Sequence, residues 1–216
     1  LSAGSVVAES VQVHIYLLTD EQPTADGQES VVVQKLRKQL NVYPQLSYQL
    51  HYVSWPKALA EVNRRSDALV AGLLRTPARE QHYSWLLPDD TQPTYLYCLS
   101  DHPLQQAGIR QLVANPALRI ACPALSAHCE MLRQLGFTAQ IQEIRLSEQD
   151  SIERLLLARR VDFIAVSDAD IHRRMSLLNV KASAYKKGPQ LALLRDYLAG
   201  GPKLDPRIRA IFAAER

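Results

Sequence analysis

Glycine is scarce in this 216-residue chain, with eight in all. None stands in a G-x-G-x-x-G or G-x-x-x-x-G-K pattern, whose bare backbone could cradle a phosphate. That excludes the common dinucleotide and nucleoside-triphosphate loops. Cysteine is scarcer still: Cys98, Cys122 and Cys129 are too few for a disulfide framework, and no C-x-x-C or H-E-x-x-H occurs. No G-x-S-x-G nucleophile elbow is present either. The longest clean apolar run spans residues 68–74, far short of the about 20 residues a membrane helix needs. Charge of one sign is also lacking, since 25 basic minus 22 acidic residues leaves +3. The basic doublets Arg64–Arg65, Arg159–Arg160, Arg173–Arg174 and Lys186–Lys187 are scattered and carry no interleaved aromatics. They read as solvated faces, and no nucleic-acid partner is expected.

What remains is an ordinary globular composition, 47% apolar and 22% charged, which rules out a disordered, collagenous or coiled-coil chain. The length suffices to bury a core without metal or disulfide staples. The nearest approach to a metal cluster is Cys122, His128 and Cys129. On a helix, adjacent side chains such as His128 and Cys129 point about 100° apart. With no fourth ligand in view, no metal and no cofactor are expected. Cys122 and Cys129 could pair in an oxidising compartment, but no spacing pattern requires it, and the adopted reading is three buried thiols. The first ten residues are small and polar, with no basic or apolar signal region. They read as a mature end left by cleavage or as a cut in the chain.

Along the chain, strand and helix patterns alternate. Strands are expected at 11–18, 46–53, 67–74, 94–99, 118–122, 139–145, 161–166 and 179–185. In 46–53, Leu46, Tyr48, Leu50 and Tyr52 alternate with Ser47, Gln49 and His51, so the strand is half-buried. Helices are expected at 30–40, from Ser54 through Val62, at 104–114, 126–135 and 147–160 (capped by Ser147 or Asp150), then a short basic helix through Arg174, and at 189–198 and 206–214. This order implies an α/β architecture, mostly parallel, in two units. The expected lobes are 1–95 with 184–216, and 96–183. Clefts between domains are the usual place for small ligands.

One segment carries a chemical signal. Residues 75–88 read RTPAREQHYSWLLP. A buried strand ends at Leu74, Thr76–Pro77 turns the chain, and Arg79 follows. An arginine at the carboxyl end of an inner strand is placed to grip a carboxylate through two parallel hydrogen bonds. The equal alternative is that Arg79 pairs with Glu80, Asp67 or another acidic side chain and holds the loop.

DALVAGLLRTPAR (67–79), followed by Tyr83, Trp85 and Pro88, resembles the lobe 1 signature of bacterial extracellular solute-binding proteins of family 3. These are the type 2 periplasmic binding proteins of polar amino-acid ABC transporters. VSWPKAL (53–59) is similar to the preceding helix in a poorly characterised branch, and LLLARRVDFIAV (155–166) resembles a lobe 2 element. The resemblance implies a two-lobe, type 2 Venus-flytrap fold with two crossing hinge strands, at about 94–99 and 181–185. It implies that Arg79 grips the ligand's carboxylate and that Asp67 is structural. The sequence departs from the pattern in four places. Leu74 replaces a small hydroxyl residue, and Arg75 an apolar one. In the lobe 2 anion loop only Ser126 could substitute. The aspartate that takes an α-ammonium aligns with Ser167, with Asp168 one residue on. Asp20 reads as a residue of the cleft mouth or a turn former, and Tyr16 and Trp85 as ligand platforms or core.

These readings favour a periplasmic solute-binding protein, its signal peptide removed, that captures an amino acid or small carboxylate without catalysis. An ABC permease or membrane receptor is the expected partner, and a monomer the expected state. The alternatives are a periplasmic sensory domain, a degenerate domain acting through protein contacts, a dehydratase-like enzyme, or the effector domain of a transcription regulator. The last two lack an acid–base pair at a telling spacing and an upstream helix-turn-helix, respectively.

Overall fold

The structure is a computed structural model that describes residues 10–145 and 151–214. The expected helix start at Ser147 or Asp150 lies outside them. The chain forms two compact units: residues 1–73, 77–89 and 197–216, and residues 74–76 and 90–196. No helix among the described residues is long and apolar enough to cross a membrane.

In the first unit, β1 (Val11–Leu18) pairs in parallel with β2 (Leu46–Val53) and β3 (Ala68–Leu74). Alternation along β1 sends Val13, Ile15 and Leu17 to one face. There they pack on Val33, Leu36 and Leu40 of α1 (Val31–Leu40) and on Ile208 and Phe212 of α7 (Pro206–Ala213). Tyr48, Leu50 and Tyr52 of β2 pack against the same cluster, as their alternation predicts. Tyr16 faces the other way, onto Ala58, Leu59 and Val62 of α2 (Trp55–Arg64). Side chains cap two of these helices: Ser30 Oγ accepts from Val33 N, and Asp205 caps α7 by accepting from Arg207 N, while Ser54 at the start of α2 makes no side-chain cap.

The second unit is built around β4 (Ser84–Leu99), β5 (Ile120–Pro123), β6 (Ile141–Ile144) and β7 (Phe163–Ser167). β5 is parallel to β6 and β7, whereas β4 is antiparallel to β7. α3 (Ile109–Val113) and α4 (Ala127–Gln134) cover one face through Leu112, Cys129 and Leu132. α5 (Ile152–Leu157) and α6 (Asp168–Leu177) cover the other through Ile152, Leu156, Ile171 and Met175. Gly136 adopts φ +95° just past α4, a left-handed stop that a side chain would strain.

Three expectations are corrected. Residues 189–198 are not a helix but part of β8 (Tyr185–Gly200), a 16-residue strand hydrogen-bonded between β3 and β4. Its apolar spacing is helix-like, but two flanking strands satisfy its backbone, and tertiary pairing overrides a weak local preference. Residues 182–184, expected within a strand, make a 3₁₀ turn instead. The helix expected at 104–114 shrinks to α3. β4 and β8 both run from one unit into the other, crossing at 89/90 and 196/197.

The cysteines are a fourth correction. Cys122 and Cys129 form a disulfide, and only Cys98 is free and buried. Seven residues separate the pair, a spacing that fits no usual motif. The link forms because Leu125 takes a left-handed conformation, φ 63°. That folds the first turn of α4 back over the end of β5 and brings the two Cα atoms to 5.5 Å. Burial, and then nearby Asp101, push the remaining Cys98 thiol up to about 11.

Candidate functional site

Parallel strands present all their carboxyl ends at one edge. Asp20, Arg79, Ser126 and Ser167 stand at or after such ends, whereas Tyr16 lies within β1 and Trp85 near the start of β4. In the first unit, Asp20 lies exposed in the short 3₁₀ turn that follows β1. Arg79 lies in the turn that follows β3. Gly72, within β3, takes φ +79°, a conformation that favours glycine. The Arg79 carbonyl accepts from His82 N at 3.0 Å and Tyr83 N at 3.3 Å, which closes the turn. Arg79 is itself only 7% exposed, so its guanidinium is held in a mostly dry setting where a carboxylate contact is strengthened. Trp85 ties this segment down. Its Nε1 donates to the Glu80 carbonyl at 3.1 Å, and its ring meets Tyr197 edge-on at 5.4 Å.

Tyr16 is buried, and its ring stacks on His51 at 5.0 Å. Burial raises its phenol. Asp67 is gripped by Arg65 through two hydrogen bonds of 2.8 Å each, and this pairing holds its carboxyl below the usual range. It anchors the entry to β3, in keeping with a structural role.

In the second unit, Ser126 follows β5 and Ser167 ends its parallel neighbour β7, and the two residues precede α4 and α6 respectively. Ser126 is buried; its side chain makes no helix-capping hydrogen bond, and its Oγ donates to Cys129 Sγ at 3.8 Å. Ser167 is engaged: its Oγ accepts from Asp170 N at 3.1 Å and donates to Asp170 Oδ2 at 2.8 Å. Asp168 is also engaged, accepting the Tyr97 hydroxyl and pairing with the Lys187 ammonium. Burial pushes the Asp168 carboxyl up, but Lys187 and Tyr97 outweigh it and hold it low. Burial and the Asp168 carboxylate both drive the Tyr97 phenol upward.

Two partners were not legible in the sequence. Lys187 and Tyr97 reach Asp168 from β8 and β4, and no spacing announces them. Thr76, buried in the Thr-Pro turn, donates to Glu130 Oε2 at 2.8 Å across 54 residues. That link joins the 74–76 segment to the first turn of α4. Among the described residues no group of three or more His, Cys, Asp or Glu is arranged to hold a metal ion.

No protein-family profile and no curated protein sequence matches this chain. Solved structures do. A histidine kinase sensor domain with similarity to periplasmic binding proteins superposes with TM-score 0.78 at 15% identity, covering 95% of this chain and 89% of that one. An ancestral arginine-binding protein bound to arginine gives TM-score 0.74 at 10% identity, covering 95% and 91%. Holo ArgBP from T. maritima gives 0.73 at 11% identity, covering 95% and 88%. Identities this low speak for the fold and nothing finer. The alternating strands and helices, the largely parallel strand pairing and the two strands shared between units, with these superpositions, make this chain an α/β protein of the type 2 periplasmic-binding-protein-like fold.

Proposed function

We propose that this chain is an extracytoplasmic solute-binding domain that captures a small carboxylate-bearing molecule without catalysis. The observation that carries the reading is Arg79, a buried guanidinium on the turn after β3, at the carboxyl edge of a parallel sheet. A planar fork of donors in a dry setting matches a carboxylate's two oxygens. The resemblance of residues 67–88 to family 3 solute-binding proteins supports the same role. Asp20 shares that edge, and Trp85 holds the turn. In the second unit Ser126 is the hydroxyl proposed to meet the ligand, while Ser167 and Asp168 serve chiefly to fix α6. With Asp168 matched by Lys187, an incoming ammonium gains little there, so the favoured ligand is a small carboxylate rather than a standard α-amino acid. The Cys122–Cys129 disulfide fits a periplasmic, oxidising location.

Delivery to an ABC permease is one use of such a domain. Sensing is the second, favoured by the similarity to a histidine kinase sensor domain. The test is a thermal-shift screen of small carboxylates, amino acids, polyamines and sugars against the wild type and Arg79→Ala. A ligand at 100 times its dissociation constant adds about 2.7 kcal/mol, a rise of roughly 5–11 °C for a chain of this length. A carboxylate hit lost in Arg79→Ala supports the reading. A hit that survives the substitution removes Arg79 from the site. A flat screen on folded, ligand-stripped protein turns the reading toward protein contacts.

A further inference from the structure

On the α2 face of the first unit two imidazoles meet. His14 of β1 and His51 of β2 approach at 2.8 Å, Nδ1 to Nε2. Their strands are parallel neighbours, with His51 opposite Tyr16 in the register, so the contact is a diagonal one. The His51 ring is also stacked on Tyr16. On its far side, His14 Nε2 lies 3.8 Å from Asp67 Oδ2.

A ring-to-ring hydrogen bond needs a donor N–H on one side and a lone pair on the other. The pair can therefore be neutral or carry one proton, but two protons leave two N–H groups facing each other. With His14 as the donor through Nδ1, its Nε2 faces the Asp67 carboxylate. The surroundings oppose a second proton. Lys57, Glu61 and Arg64 of α2, Arg65 and Asp67 before β3, and Tyr16 are the titratable and charged groups around the pair. Glu61 is matched by Arg64 at 2.7 Å and Asp67 by Arg65, which leaves no unmatched acid for a second imidazolium. Burial, then the His14 charge, then Arg65 lower the His51 ring accordingly.

We propose that His14 and His51 form a one-proton pair, and that forcing in a second proton as the pH falls breaks their hydrogen bond and loosens β2 from β1. The sign follows from linkage. A histidine depressed in the folded state gives stability that is present above its ordinary value of about 6.5 and is lost as the pH drops toward the folded value. This device stands on its own geometry, independent of any ligand.

The experiment is a histidine NMR titration of the intact chain from pH 8 to 4.5, with β2 amide protection factors measured over the same range. The expected result is two steps for His14 and His51, separated by more than about one pH unit, with β2 protection falling across the lower step. In His51→Gln the lower step vanishes and β2 protection becomes flat over that range. Two rings titrating together near 6.5, or β2 protection indifferent to the lower step, overturns the proposal. Should His51→Gln not fold, the wild-type titration decides alone.

Discussion

The indole Nε1 of Trp85 donates to the carbonyl of Glu80 at 3.1 Å, and Glu80 follows Arg79 directly. An aromatic ring five residues downstream thus holds the backbone on which the buried guanidinium sits. Trp85→Phe keeps most of the ring and removes this bond. The expected loss is about 0.5–1.5 kcal/mol, read as a lower urea midpoint with unchanged slope. A variant as stable as the wild type shows that the bond does not hold the turn.

Arg79→Lys keeps the charge but not the planar fork. If a carboxylate is gripped bidentately, lysine should bind it at least tenfold more weakly, by calorimetry with the best carboxylate from the screen, because a point charge cannot make both parallel bonds. Equal affinity would reduce the role of Arg79 to charge alone.

The Cys122–Cys129 link closes a short loop in the second unit. Chain-entropy arguments give about 2–3 kcal/mol for a loop of this size. The Cys122→Ala/Cys129→Ala double variant should lose stability on that scale. Thiol titration of the denatured, unreduced protein should find Cys98 alone. Finding all three cysteines reactive would remove the disulfide.

Acid should act on the second unit through Asp170. Burial pushes its carboxyl up, but Arg174, Arg173 and the Ser167 hydroxyl pull it down harder, to about 2 from 3.8. A lowered carboxyl gives stability that is complete above the unfolded value and is lost as the pH falls through the folded one. The loss should therefore run from near pH 4 toward pH 2. Asp170→Asn should be less stable at pH 7 and show a shallower acid slope in that window. An unchanged slope would assign the acid loss to other groups.

Much of the fold was legible because its signals are local. The alternation of Leu46, Tyr48, Leu50 and Tyr52 against Ser47, Gln49 and His51 placed β2. Ser30 marked the start of α1, and Gly136 the end of α4. The turn at Thr76–Pro77 marked where Arg79 leaves the sheet. β8 was misread because its apolar spacing suits a helix, and only the flanking β3 and β4 make it a strand. The disulfide was passed over because its spacing is uninformative until Leu125 turns the chain back on itself.

The sequence by itself therefore determined the alternation of elements, the α/β class and the segment that carries Arg79. These depend on side-chain periodicity and turn chemistry within a few residues. Only the tertiary structure decided that Asp168 is matched by Lys187, that Ser167 is absorbed in capping α6, that Thr76 reaches Glu130, and that His14 meets His51. Such pairings join residues tens of positions apart, and their energies depend on burial and distance, which exist only once the chain has folded.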